Sequence, residues 1–261
     1  MKQRTLTGVV LALLSMVLLG CFHLPWVPQL IAILLGCGAV WEILGANGIR
    51  NKGSYAAGLF LAVIIPLFSL TEKVWWMAAA LVLGLGFFTY LMTRIGKQAP
   101  AWVAAPEIVL ALSLYRGLAC YGEIPHGAFF LCLTGLICAL TDIFAYLVGS
   151  RFGRRKLAPK VSPGKSIEGA LGGLGTTVVL IVLVFGRFFD DIGTLVLYTA
   201  VVSILGQFGD LSMSAVKRVA GVKDFGHIFP GHGGILDRCD SLMYPLAFTW
   251  LLYCAQIWIF V

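Results

Sequence analysis

Apolar runs of roughly 20 residues, each long enough to cross the hydrocarbon of a bilayer, recur along nearly the whole of this 261-residue chain. Hydrophobic residues make up 59% of it and charged residues 12%, with a mean hydropathy of +0.93. A soluble domain of this length has no core large enough to hide that much apolar surface. The runs are continuous rather than alternating, which excludes a membrane barrel built from strands of about ten residues. The expected fold class is therefore all-α: a polytopic integral membrane protein of about nine transmembrane helices, near 6–24, 26–46, 54–71, 74–93, 101–121, 128–149, 168–187, 191–213 and 242–261. The first run follows Lys2 and Arg4 but lacks a small-x-small cleavage site, so it reads as a retained helix rather than a signal peptide.

The basic residues orient the bundle. With a cytoplasmic N-terminus, sixteen of the nineteen Lys and Arg fall in cytoplasmic segments. Only Lys73 and Arg187 fall outside, and Arg116 lies within a span. The positive-inside rule then places the N-terminus in the cytoplasm and the C-terminus outside. The net charge of +7 is mainly this topology signal. Aromatic platforms interleaved with the basic residues are absent, so no nucleic acid partner is expected. The seven cysteines form no C-x-x-C pair and read as small helix-packing residues.

Polar content is uneven. Residues 1–126 hold about five chemically quiet helices, expected to be structural and dimerising, and residues 127–261 hold nearly all the chemistry. Two cytoplasmic loops, 149–167 (loop A) and 213–241 (loop B), are too long and polar to be simple connectors. Asp142 sits inside the sixth span, about two turns from its cytoplasmic end, where an ionisable group must be paired or line a wet cavity. Partnering a basic loop residue and facing a cavity are equally good readings of it. Asp210 ends the eighth span, and Asp224, Asp237 and Asp240 lie in loop B. Carboxylates and cations gathered in two loops suit a polyanion held with a divalent cation. Mg²⁺ takes one or two carboxylates together with substrate phosphates, and Lys or Arg meet the phosphate oxygens. The competing reading of loop A is a topogenic face that binds lipid headgroups.

Loop B reads SAVKRVAGVKDFGHIFPGHGGILDRCDS from Ser214 to Ser241. Its glycines and Pro230 allow a close backbone approach to a ligand. Asp237 and Asp240, three apart, share one face if that stretch is helical, and Gly233-Gly234 before them can offer N–H groups to phosphate. His232 can donate to phosphate, relay a proton, or simply satisfy a turn. The SPGKS of Ser162–Ser166 imitates the end of a P-loop, but Pro159 stands where the first glycine belongs, and no strand is expected before it.

Ser214, Lys217, Arg218, Lys223, Asp224, Gly226, Pro230, His232, Gly233, Gly234, Asp237, Arg238 and Asp240 together resemble the signature of the phosphatidate cytidylyltransferase (CDP-diacylglycerol synthase) family. FGRRKLAPKVSPGKSIEGALGG in loop A, Asp142 before it, KQRTLTG near the N-terminus and Trp41-Glu42 are similar to that family as well. The sequence departs from the pattern at Cys239, at Met213, where the family often has Glu, and at Ser166-Ile167. The resemblance implies transfer of CMP from CTP to phosphatidic acid, giving CDP-diacylglycerol and pyrophosphate, a step of phospholipid biosynthesis. It implies Mg²⁺, one or two ions per site, and a homodimer in the cell inner membrane with its site on the cytoplasmic side. Asp210, Asp224, Asp237 and Asp240, then Asp142, are the candidate metal ligands, and Asp224, Asp237, Asp240, Lys223 and His232 the candidate catalytic groups. Lys165, Lys217, Arg218, Lys223 and Arg238 are candidates for the phosphates. Ser162 and Ser166 either donate to phosphate or hold loop A, and Ser214, Gly233 and Gly234 complete the expected substrate site. The alternatives are a CTP-using lipid kinase, a transporter using Asp142 and Glu107, and a non-catalytic lipid-binding scaffold.

Overall fold

A computed structural model of the chain describes residues 17–22, 24, 26–67, 79, 82–84, 86–88, 90–91, 103–226, 228 and 233–255. Its longer elements are helices α1 (Trp26–Ala46), α2 (Lys52–Leu67), α3 (Ala104–Cys120), α4 (Gly127–Phe152), α5 (Ile167–Phe185), α6 (Ile192–Ala220) and α8 (Met243–Cys254). A four-residue helix α7 (Leu236–Cys239) precedes α8. Between α4 and α5 runs an antiparallel hairpin of β1 (Lys156–Ala158) and β2 (Ser162–Ser166). Four helical stretches are long and apolar enough to cross a membrane: 26–46, 127–152, 167–188 and 192–220. Two shorter apolar helices, 52–67 and 243–254, accompany them. The chain is thus a helical, multi-pass membrane protein. The expected spans 6–24 and 74–93 fall wholly or largely outside the described residues, as does the end of the last span.

Three expectations need correcting. The fold is helical but not purely so, because loop A contains the hairpin. SPGKS is itself strand β2, and a strand does come before it, so the sequence that imitates a phosphate loop is extended backbone. Loop B begins later than residue 213, because α6 continues to Ala220. The chain turns at Gly221 (φ +75°), in a left-handed conformation that favours glycine, and the Gly221 N–H caps the carbonyls of Lys217 and Arg218. Ser214, Lys217 and Arg218 are therefore helical and rigidly placed.

α4 and α5 lie against each other through glycines. A Cβ at Gly173 would sit 2.7 Å from the Thr141 carbonyl oxygen, so only glycine permits this approach. Buried hydroxyls then tie in α6: Thr141 Oγ1 donates to Ser203 Oγ at 2.9 Å. Farther along, Tyr198 of α6 bridges Thr134 of α4 at 2.8 Å and Thr249 of α8 at 2.9 Å. Such bonds satisfy side chains that hydrocarbon cannot. The main core draws on both sides of residue 126, from Val40 and Ile43 to Val216, Leu236 and Trp250. Met213 is buried in that core, which accounts for an apolar side chain at this departure from the family pattern.

Candidate active site

Where α4, α5 and α6 converge on the hairpin, they enclose a cavity of about 360 Å³. Asp142 comes from α4, Asp210 and Gln207 from α6, and Ser162, Lys165 and Ser166 from β2. Lys165 forms an ion pair with Asp210 across the cavity. Ser214, one turn along α6, donates to the other Asp210 oxygen at 3.4 Å. The hairpin is the device that delivers Lys165. Pairing of Lys156 with Ser166 and of Ala158 with Ser162 carries β2 to the mouth of α5. There Ser166 becomes the N-cap, its hydroxyl accepting from the Gly169 N–H at 3.1 Å. Ser166 therefore holds loop A in place. Glu168 accepts the N–H groups of Arg154 and Arg155, fixing the strand's other approach.

Loop B is organised around Asp237. Its Oδ1 accepts from Lys217 Nζ at 2.7 Å, and its Oδ2 from the N–H groups of Phe225 and Gly234, each at 3.0 Å. Lys217 also lies 5.6 Å from the centre of the Phe225 ring. Arg218 Nε donates to the Val161 carbonyl at 3.2 Å, which clamps the turn of loop A to α6. Lys223, Asp224 and Arg238 are exposed and do not line the cavity. Gly233 turns with φ +82° just before α7. His232 lies outside the described residues.

The five expected metal ligands are thus not one cluster. Among the described residues, no three Asp, Glu, His or Cys side chains are gathered closely enough to hold a metal ion by themselves. The physical reason is that two lysines already serve two of the carboxylates, and Asp237 spends both oxygens within the protein. Asp142 and Asp210 remain as the acidic wall of the cavity. Asp240 stands behind them, its Oδ1 accepting from the Ser241 N–H at 2.8 Å.

Glu42 was singled out in the sequence only as part of a resemblance, without a role. It is buried on α1, and its two carboxylate oxygens accept the N–H groups of Ile235 (2.8 Å) and Leu236 (2.9 Å). It therefore caps α7 from the other half of the chain. The argument that drew attention to Asp142, a carboxylate within an apolar span, applied to Glu42 as well. Gln207, which lines the cavity and donates to the Ala170 carbonyl at 3.3 Å, had no such signal.

Electrostatics separate the two loop B acids. Burial alone would raise the pKa of Asp237, but Lys217 and the N–H groups of Gly234 and Phe225 outweigh it and hold the carboxyl below its usual range. Burial, and then the negative charge of Asp210, push Asp240 up to about 7. A raised acid favours the folded state at low pH and loses that advantage as pH rises through 7. In metal-free detergent, the melting temperature of the protein should therefore fall relative to Asp240→Asn between about pH 4 and 7. Parallel melting curves for the two proteins over that range would refute the assignment.

Comparison with known proteins now adds to the geometry. A profile of the cytidylyltransferase family matches residues 2–255. The chain belongs to the cytidylyltransferase family. Among this family member's relatives, the phosphatidate cytidylyltransferase of Staphylococcus haemolyticus is 36% identical over 257 residues, 94% of this chain and 96% of the relative. The phosphatidate cytidylyltransferases of Staphylococcus epidermidis (35% over 254 residues) and Staphylococcus aureus (34% over 257 residues) cover the same shares. A match of that extent takes in both halves of the bundle, so Glu42, the hairpin and loop B all fall within the matched residues.

Proposed function

We propose that this protein transfers CMP from CTP to phosphatidic acid, releasing pyrophosphate and leaving CDP-diacylglycerol in the membrane. The observation that carries this reading is full-length kinship with phosphatidate cytidylyltransferases in a chain whose cavity joins Lys165 to two carboxylates beside spanning helices. The second pKa of a phosphomonoester is near 6, so phosphatidate is largely a dianion at neutral pH. Its oxygen attacks the α-phosphorus of CTP, the bond to the β-phosphate oxygen breaks, and pyrophosphate leaves. No strong general base is required. The obstacle is the repulsion between two anions, and Lys165 offers a fixed positive charge where they meet.

Two acidic side chains in a site for anions, with Lys165 paired to one of them, support a cation between them and the phosphates. Asp142 and Asp210, with Asp240 behind, fit Mg²⁺, which two carboxylates and substrate phosphates suffice to hold. When bound, it would offset the charge of the triphosphate and of the departing pyrophosphate. Lys217 and Asp237 keep loop B in shape at the edge of this site, and Arg218 keeps loop A against it. Lys223, Arg238, Gly233 and Gly234 remain candidates for the phosphates, as do His232 and Asp224 for roles in catalysis. The excess of Lys and Arg in the loops supports a cytoplasmic position for this face, and the same reading has residues 1–126 as the supporting half of a homodimer in the cell inner membrane.

The test uses purified protein in detergent with phosphatidate, Mg²⁺ and CTP labelled at either the α- or the γ-phosphate. Label should enter the lipid phase from α-labelled CTP and not from γ-labelled CTP. The reverse pattern would identify a lipid kinase, and no label in lipid from either would remove the enzymatic reading.

A further inference from the structure

A second, wider groove of about 600 Å³ lies outside the cavity and shares none of its lining residues. It sits where the last turn of α4 and the first turn of α5 meet, at the ends of two membrane-crossing helices. Arg151, Arg154 and Arg155 supply its charge, and all three are exposed. Glu168 is the one acid among its lining residues, and both its oxygens accept main-chain N–H groups of Arg154 and Arg155. That carboxylate therefore fixes the backbone of the arginine pair; among the described residues no guanidinium comes within ion-pair distance of it, although the charge of Arg155 is felt there. Beside the arginines, Phe152 is 67% exposed, Leu171 66% and Ile167 38%.

We propose that this groove is a standing site for an anionic phospholipid, with its phosphate on the three arginines and its acyl chains along Phe152, Ile167 and Leu171. Each half of the lining asks for one half of such a molecule. Guanidinium forks match phosphate oxygens in pairs. Exposed aromatic and aliphatic side chains at the end of a spanning helix meet the first carbons of lipid tails. Free nucleotide or phosphate would leave the apolar wall uncovered, and a neutral lipid would leave three cations with Glu168 as the one acid beside them. The site is not the reaction cavity, because Ser150 and Ser166 face that cavity while Arg151 and Ile167, their neighbours in the chain, face the groove. A lipid seated here would brace the hairpin that carries Lys165 from the opposite side.

The experiment takes the full chain from nanodiscs holding equal amounts of phosphatidylglycerol and phosphatidylcholine and counts retained lipid by native mass spectrometry. The wild type should retain phosphatidylglycerol in preference to phosphatidylcholine, even with millimolar inorganic phosphate present. Replacing all three arginines by glutamine should reduce that retention about tenfold, the loss expected for charge-assisted bonds. The triple lysine variant keeps the charge that orients the loop, and it decides the matter if the glutamine variant fails to insert. It should lose several-fold in retention because the paired forks are gone. Equal retention of the two lipids, displacement by inorganic phosphate, or undiminished retention by the lysine variant would each overturn the proposal.

Discussion

Glu42→Ala should reduce turnover at least about a hundredfold while leaving membrane insertion and helix content intact. Glu42 lies far from the cavity in sequence and does not line it, so a loss of this size has to pass through α7. Truncation leaves the N–H groups of Ile235 and Leu236 without acceptors in a buried place, at about 1–3 kcal/mol each. It also opens a space, since the Glu42 carboxylate fills the volume that a Cβ on Gly226 or Gly234 would otherwise take. α7 has only four residues and cannot hold itself together as an isolated helix. Without its cap, Asp237 and Asp240 lose their fixed places relative to Lys217 and Asp210. Glu42→Gln should be intermediate, because one oxygen remains but an NH₂ group is turned toward an N–H donor. Steady-state kinetics with circular dichroism would check this. Wild-type kcat in Glu42→Ala would show that loop B keeps its shape without α1.

Disrupting the Lys165–Asp210 pair should have the larger effect. Either Asp210→Asn or Lys165→Met should lower kcat/KM by about 10³-fold or more, since each leaves one charge of the cavity without its partner and removes a group that meets substrate or metal. The double variant distinguishes chemistry from architecture. If the pair served only to hold β2 against α6, replacing both partners by neutral groups would restore much of the activity, because no buried charge would be left alone. If Lys165 meets phosphate and Asp210 meets a cation, the double variant should be at least as inactive as either single one. Recovery in the double variant, measured as CMP transfer to phosphatidate, would remove both residues from the reaction.

The membrane-spanning character of this chain, the uneven spread of its polar residues and most of the polar side chains that line its cavity were legible from the sequence. Hydropathy is a local, additive property, so a run of twenty apolar residues states its own environment. The spacing of Asp142, Lys165, Asp210 and the loop B residues likewise needs no partner to be read. Much less legible was what each polar group spends itself on. Asp237 looked like a free ligand and is occupied by Lys217 and two N–H groups. Arg218 looked like a phosphate contact and clamps the Val161 carbonyl. SPGKS imitated the end of a phosphate loop with no strand before it and is itself a strand, because its pairing partner lies across a short hairpin rather than within the motif.

Glu42 marks the boundary between the two kinds of knowledge. The sequence alone determined that a carboxylate there, in an apolar helix, must find donors. Only the tertiary structure decided that they are the N–H groups of residues 193 and 194 positions away. Hydrogen bonds to the main chain carry no signature of the accepting side chain in the donor's identity, since every residue but proline offers the same N–H. Their choice is made by which backbones the packed helices bring within about 3 Å of one another, and that is a property of the whole fold.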